Sequence, residues 1–418
     1  MFYSTKAKVA LYLILILVSV CMRPISANLP VWGIILLFTT IDSLIFFRQK
    51  GFLFMLLAVL SIANLSLVYG CFWFYENNVY SWQVPLVGTS ACNITAQALT
   101  VFYVTMMLSL IFTCKKKANT LISIYDLKKY KWQIGTFFFV CCYIFLIYIL
   151  IFCFNRSVSE YTSGKSVLYE YAVVLYIIMW LYMPARRIYK VLMLLYAFLY
   201  IMQGLLFGDR SSAFPMLILL YFLLQRKPKR FQFVALSLLG VLGANFIGIY
   251  RRAFTVTSDI FDEIISRFFY VDSIAYSFYT GVQIVSASDI IHNKFQHFMD
   301  WFLHLFIGGT SEYDLSTYVS RYSDAFYNTG GGMTSSYLYF WAGMFGVILG
   351  GLIIGIILGK IYSNVKGCYP FLQIVIILFA LRWYTYFPSV FFRTCIIIPI
   401  VLYFGIMLVN SFFNRIRS

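Results

Sequence analysis

This chain has little acid. Only 15 of its 418 residues are Asp or Glu, and all charged residues together make up 11% of it. A soluble domain of this length needs a far more polar surface, so that class is excluded. Histidine is scarcer still, with three. No HExxH, no CxxC, no GxSxG and no Walker-type phosphate loop occurs. The zinc peptidase, dithiol redox, nucleophile-elbow hydrolase and P-loop classes therefore fall away, and no metal and no cofactor is expected. Cysteines Cys114, Cys141, Cys142, Cys153 and Cys395 sit in or at the ends of apolar runs, where the thiol behaves as a small hydrophobe. Cys71 and Cys92 are expected in one outer loop, 71–95, where a disulfide is open to them if that side is oxidising. There is no internal repeat and no low-complexity segment.

What is present is apolar: 62% of the residues are hydrophobic. Apolar runs of 18 or more residues recur along the whole chain, and about 20 residues span about 30 Å of hydrocarbon. The expected class is an all-α polytopic membrane protein, because helices satisfy their own backbone in lipid. The runs predict about twelve spans, at roughly 8–24, 29–47, 51–70, 96–114, 133–154, 168–185, 190–207, 211–225, 233–250, 335–360, 368–385 and 395–413. The basic, apolar start MFYSTKAKVALYLILILVSV resembles a signal peptide but reads as the first of these spans. A net charge of +17 raises nucleic acid as a partner. The charges fall in short loops between spans, so they read as topology signals and no nucleic acid is expected. With the N-terminus inside, every inner loop is basic and both termini are cytoplasmic.

One outer segment is long. Residues 251–334 lie between spans nine and ten of what otherwise reads as a single membrane domain, 1–418, and loops of that length are usually functional. Two amphipathic helices are expected inside it. SDIFDEIISRFFYVD carries Ile260, Phe261, Ile264, Ile265, Phe268 and Phe269 at helical spacing, with Ser258 or Asp259 as N-cap. SDIIHNKFQHFMDWFLHLFIGG ends at Gly308–Gly309, a C-cap pattern. Both helices could lie flat on the membrane or fold back into the bundle. All three histidines, His292, His297 and His304, fall in this segment. His297 and His304 share a helix face around Trp301; an interfacial aromatic belt and a general base are the two readings. GGG at 330–332 reads as a flexible loop entering a helix, offering backbone N–H groups to a phosphate.

The basic residues outside are Arg23, Arg156, Lys165, Arg210, Arg251, Arg252, Arg267, Lys294, Arg321, Arg382 and Arg393. Arginine dominates this set, whereas lysine leads inside. Lysine suffices as a topology charge, while the guanidinium offers a planar fork to phosphate or carboxylate. The arginine excess points to an anionic ligand, against snorkelling to lipid headgroups. Arg210 lies in the turn between two spans, Arg251 and Arg252 end a span, Arg382 follows one and Arg393 precedes one. Ionisable groups at such depth are functional candidates, and together these could line one cavity.

With GDR at 208–210, RR at 251–252, the long outer loop and the Gly-rich span GGGMTSSYLYFWAGMFGVILGGLIIGIILGK after it, the chain resembles Wzy-type O-antigen (oligosaccharide repeat unit) polymerases. Arg321 and Gly332 also match an R-x10-G spacing described for such outer loops. The resemblance covers the whole chain as an outline and specific motifs over about a tenth of it. It implies a GT-C-like bundle in the bacterial inner membrane with its active site and the 251–334 loop in the periplasm. It implies joining of oligosaccharide units carried on undecaprenyl diphosphate, without metal or nucleotide sugar, with a flippase and a chain-length regulator as protein partners. The leaving diphosphate gains charge as the glycosidic bond breaks, and pre-placed arginines stabilise it. Arg210 with Arg251 or Arg252 is expected there, Arg321, Arg382 and Arg393 in support. The acceptor hydroxyl needs a base or orienting group, open between His304, Asp272, Asp314 and Glu312. Tyr270, Tyr313 and Tyr337 are expected to stack on sugars.

Three other readings remain. A lipid-linked oligosaccharide flippase has a similar span count but short outer loops and two related halves. An O-antigen ligase performs the same chemistry on another acceptor. A non-catalytic assembly protein leaves the arginines at the helix ends without a use.

Overall fold

The computed structural model describes residues 5–74, 84–114, 133–154, 166–207, 210–225, 229–253, 271–308, 313–321, 326–327, 331–364 and 367–417. Helices make up the regular structure, with no strand among the described residues. In chain order they are α1 (Thr5–Cys21), α2 (Leu29–Phe46), α3 (Phe52–Leu67), α4 (Ser90–Thr113), α5 (Thr136–Phe152), α6 (Val167–Tyr182), α7 (Arg187–Leu206) and α8 (Arg210–Leu224). After them come α9 (Arg230–Ala253), α10 (Asp272–Ala287), α11 (Lys294–Ile307), α12 (Leu315–Ser320), α13 (Thr334–Ser363), α14 (Tyr369–Leu378), α15 (Ala380–Thr385) and α16 (Ile398–Arg417). Side-chain caps start some of them: Thr89 Oγ1 accepts from the Cys92 N–H and Ser166 Oγ from the Leu168 N–H. Proline in the first turn starts α2 and α14.

Among the described residues, six helical stretches are long and apolar enough to cross a membrane: Ser26–Phe46, Phe52–Trp73, Ser90–Thr113, Arg187–Leu206, Thr334–Ser363 and Val390–Phe412. Five shorter apolar helices accompany them. The chain thus has the make-up of a helical membrane protein.

The chain divides into two compact units. The first comprises Met1–Asn119, Asp262–Val365 and Ala380–Arg393. Its centre is α4, 94% buried along its most apolar stretch. Along it packs α13, the predicted span 335–360, whose Gly351, Gly355 and Gly359 recur every fourth residue. They face Thr105, Ser109 and Thr113 of α4, at the same spacing. A Cβ at Gly355 would stand 2.5 Å from the Met106 carbonyl oxygen and 2.6 Å from Ser109 Cβ. Lipid tails are as apolar as leucine, so helices in a bilayer associate through close packing and interhelical hydrogen bonds. The second device is also present: Asn64 Nδ2 donates to Thr40 Oγ1 at 2.8 Å and Tyr384 OH to Asn64 Oδ1 at 2.7 Å, joining α2, α3 and α15. Lys8 Nζ pairs with Asp42 Oδ1 at 2.5 Å, and Tyr12 OH donates to Asp42 Oδ2.

Two features of this unit differ from the sequence reading. Helix α10, inside the expected outer loop, is not a surface element: nearly all of it is buried, against α4 and α13. The thiols of Cys71 and Cys92 are free. Cys71 is not in a loop either, since α3 continues as a π-helical stretch over Val68–Trp73. The second amphipathic helix is present as α11, ending at Gly308 with φ +103°, the left-handed region that glycine favours. The first, 258–272, lies outside the described residues except for Val271 and Asp272.

The second unit comprises Thr120–Phe261, Lys366–Phe379 and Thr394–Ser418. Tyrosines tie α6 to α7: Tyr169 and Tyr200 stack at 4.5 Å, and Tyr200 OH donates to the Tyr169 carbonyl. Asn410 of α16 holds the start of α5 by accepting from the Gly135 N–H and donating to the Gln133 carbonyl.

Gly355→Leu is expected to lower the melting temperature of the detergent-solubilised protein, at a cost on the order of 1–3 kcal/mol or more, because a carbonyl oxygen cannot rotate away. Gly405→Ala, with nothing within 4 Å, leaves it unchanged or raised. Equal melting of the two variants in a thermal scan would contradict the close-packing account.

Candidate functional site

Four candidate residues of the first unit, Tyr337, Asp314, Tyr313 and His304, meet near the N-terminal end of α13. That helix breaks at Ala342 (φ −145°, ψ 25°) and Gly343 (φ 61°, ψ −154°), a pair of conformations that ends the ladder and demands glycine at the second position. The short piece before the break carries Tyr337, Phe340 and Trp341 toward α10, α11 and α12. An apolar cluster of Ile284, Ile291, Leu315, Val319 and Phe340 encloses Tyr337.

Asp314 caps α12. One carboxyl oxygen accepts from the Ser316 N–H at 3.3 Å and the other from Ser316 Oγ at 3.0 Å. The Tyr337 hydroxyl makes a short hydrogen bond to Oδ1 and reaches the Gly331 carbonyl at 3.4 Å. Burial pushes the Asp314 carboxyl up to about 8, while the bonds from Ser316 pull it down. Tyr313, its neighbour in sequence, stacks on His304 with ring centroids 3.9 Å apart. His304 Nδ1 lies 2.7 Å from the Asp300 carbonyl. A carbonyl only accepts, so Nδ1 carries the hydrogen and Nε2 is the ring nitrogen outside that bond. At the end of the same helix the Arg393 guanidinium lies beside Gly308: a Cβ there would come within 3.2 Å of its Nη2. A cation in that place complements the partial negative charge of a helix C-terminus.

His297 is a different case. Trp341 Nε1–H donates to its Nδ1 at 3.1 Å, and Tyr318 and Phe340 pack on the ring. Burial holds the imidazole down at about 4, against a smaller opposing effect of Asp300. It is therefore neutral at pH 7 and serves the aromatic packing.

The other expected residues have the following places. Arg321 ends α12 in the open. Arg382 is half-buried in α15, and Asp272 is buried at the first turn of α10. Arg210 opens α8, and Arg251 and Arg252 close α9, in the second unit; their side chains lie outside the described residues, as do Tyr270 and Glu312. The glycine turn corrects another expectation. Gly331 and Gly332 (φ +87° and +130°) and Met333 (φ +60°) are buried rather than loose. A Cβ at Gly331 would come within 2.7 Å of Ser277 Oγ, and the Met333 N–H is already bonded to the Thr385 carbonyl. These glycines allow close packing on α10, and the Met333 amide is not free for a phosphate. Among the described residues no group of His, Cys, Asp and Glu could hold a metal ion.

Sequence reasoning missed Ser316 and Trp341. The first had a signal: Asp two residues before Ser, at the head of an apolar stretch, is a capping pattern. Trp341 had none, since its partner lies 44 residues away. Comparison with family models, curated proteins and solved structures finds no match.

A carboxyl raised from 3.8 to about 8 favours the folded state when protonated. That contribution is complete below 3.8 and lost as pH climbs through about 8. The melting temperature of the wild type is expected to fall between pH 5 and pH 8.5, and Asp314→Asn to remove most of that fall. Parallel pH profiles for the two proteins would show that Asp314 is ionised throughout.

Proposed function

We propose that the chain is a membrane glycosyltransferase: a Wzy-type polymerase that joins undecaprenyl-diphosphate-linked oligosaccharide units into O-antigen polysaccharide on the periplasmic face of the inner membrane. On this reading about twelve spans form a GT-C-like bundle with both termini cytoplasmic. The observation that carries it is the enclosed Asp314–Tyr337 pair, set beside the His304–Tyr313 stack in a chain otherwise built of apolar helices. A proton-transferring group works best when its affinity lies near the ambient pH, and burial gives Asp314 that property.

The chemistry is a displacement at a sugar carbon. An acceptor hydroxyl oxygen bonds to the anomeric carbon of the donor. The bond from that carbon to the diphosphate oxygen breaks, and the lipid diphosphate leaves with the electron pair. The acceptor proton passes to Asp314, which Tyr337 and Ser316 hold in place. His304 Nε2 and the Tyr313 ring orient the acceptor sugar. Arg393, at the end of α11, is the described arginine best placed to face the leaving diphosphate, with Arg210, Arg251 and Arg252 as the further guanidinium groups of the reading.

In cells carrying the lipid-linked unit, Asp314→Asn is expected to reduce polymer by about 100-fold or more, the scale of a lost general base, with unchanged protein in the membrane. Arg393→Lys keeps the charge, loses the fork and shortens the ladder. Single-repeat product remains in both, read on a lipopolysaccharide gel. A normal ladder from Asp314→Asn would remove Asp314 from the reaction. Loss of the single-repeat band as well would point to flipping or ligation instead.

A further inference from the structure

Helix α11 has its apolar side on the wrong face for water. At 14 residues it is about 21 Å long at 1.5 Å per residue, too short to cross about 30 Å of hydrocarbon. It also carries Lys294, His297, Asp300 and His304. Its inner side is buried: His297, Trp301 and Leu305 pack against the start of α13 and against Tyr318 and Phe392. The outer side should then be polar, as on an ordinary surface helix. Instead Phe295, Met299, Phe302, Leu303, Phe306 and Ile307 are exposed there, Phe295 by 75% and Ile307 by 80%. At about 100° per residue these side chains sweep an arc of roughly 140°. The exposed Gln296 lies within that arc, and the half-buried Asp300 and His304 border it.

Two further observations say what covers this face. The first is continuity. Helix α13, on which α11 packs, has its own exposed stripe of Phe345, Leu349, Ile353 and Ile356 along a stretch apolar enough to span a membrane. That stripe starts four residues beyond Trp341, whose ring lies 4.6 Å from Trp301 of α11. Helix α11 therefore adjoins the end of α13 from which that lipid-facing stripe runs. The second is charge. Lys294 opens α11 with its Nζ 5.9 Å from the Phe340 ring, and the Arg393 guanidinium lies beside Gly308, so a cation stands at each end of the helix. That is the pattern of a helix lying between acyl chains and headgroup phosphates.

We propose that α11 is an interfacial helix whose outer face is embedded in the phospholipid of the leaflet that contacts the start of α13. It is neither bathed in water nor covered by a second protein. This follows whether or not the chain transfers sugars. If it does, Arg393, His304 and Asp314 stand at headgroup depth, where the diphosphate of a lipid-linked donor lies.

The test uses the full-length protein in nanodiscs of phosphatidylethanolamine and phosphatidylglycerol, with the photoreactive p-benzoylphenylalanine placed singly at Phe302, Phe306 or Phe345. All three positions are exposed, so the larger ring is accommodated, and no turnover is needed. Irradiation followed by intact mass is expected to give phospholipid adducts at Phe302 and Phe306 in yields within about threefold of the Phe345 reference. Adducts at Phe345 with none at Phe302 and Phe306 would overturn the proposal in favour of a water-facing helix. Protein–protein cross-links from Phe302 or Phe306 would overturn it in favour of a covered interface.

Discussion

The approach of α13 to α4 governs what the first unit can do. Three glycines set one turn apart let the backbone of one long helix rest on the threonines and serines of another, and in lipid this contact cannot be replaced by burying more leucine. It fixes the long part of α13. The break at Ala342–Gly343 then redirects the eight residues before it. Tyr337, Phe340 and Trp341 belong to that redirected piece, so the polar cluster at its end depends on a packing contact far along the same helix. The N-terminus of α13 is held independently, since Thr334 Oγ1 donates to the Trp383 carbonyl and the Met333 N–H to the Thr385 carbonyl.

In this acid-poor chain Asp42 and Asp314 are held in different ways. Asp42 is neutralised by Lys8 and Tyr12. Asp314 is bonded instead by a backbone N–H and two hydroxyls, and burial raises its proton affinity. The two histidines of α11 separate in the same way. His297 is buried among rings, accepts from Trp341 and stays neutral. His304, one turn from the helix end, keeps Nε2 outside its bond to Asp300. Environment therefore gives two like residues, seven apart on one helix, different capacities.

The membrane-helix character was legible because it rests on run length, which needs no tertiary information: the span expected at 335–360 is α13 at Thr334–Ser363. The end of α11 at Gly308 was legible for a similar local reason. Helix α10 was not, because nothing in its composition separates a buried helix of 16 residues from the loop around it. The glycines at 331–332 were misread for the same reason: they answer to Ser277, Ile284 and Tyr386, which only the fold brings near. Of the site, Asp314, Tyr313, His304 and Tyr337 were all on the page as types. Their pairing was not, since Asp314 and Tyr337 stand 23 residues apart.

The central claim, that this chain alone joins lipid-linked oligosaccharide units, is tested most directly by reconstitution. The purified protein is placed in vesicles with a single undecaprenyl-diphosphate-linked oligosaccharide, and the lipid products are weighed by mass spectrometry. The account predicts lipid-linked species of two, three and more repeats, with one undecaprenyl diphosphate released for each bond formed. Units that cross the bilayer unjoined, or that remain single with no diphosphate lipid released, would contradict it.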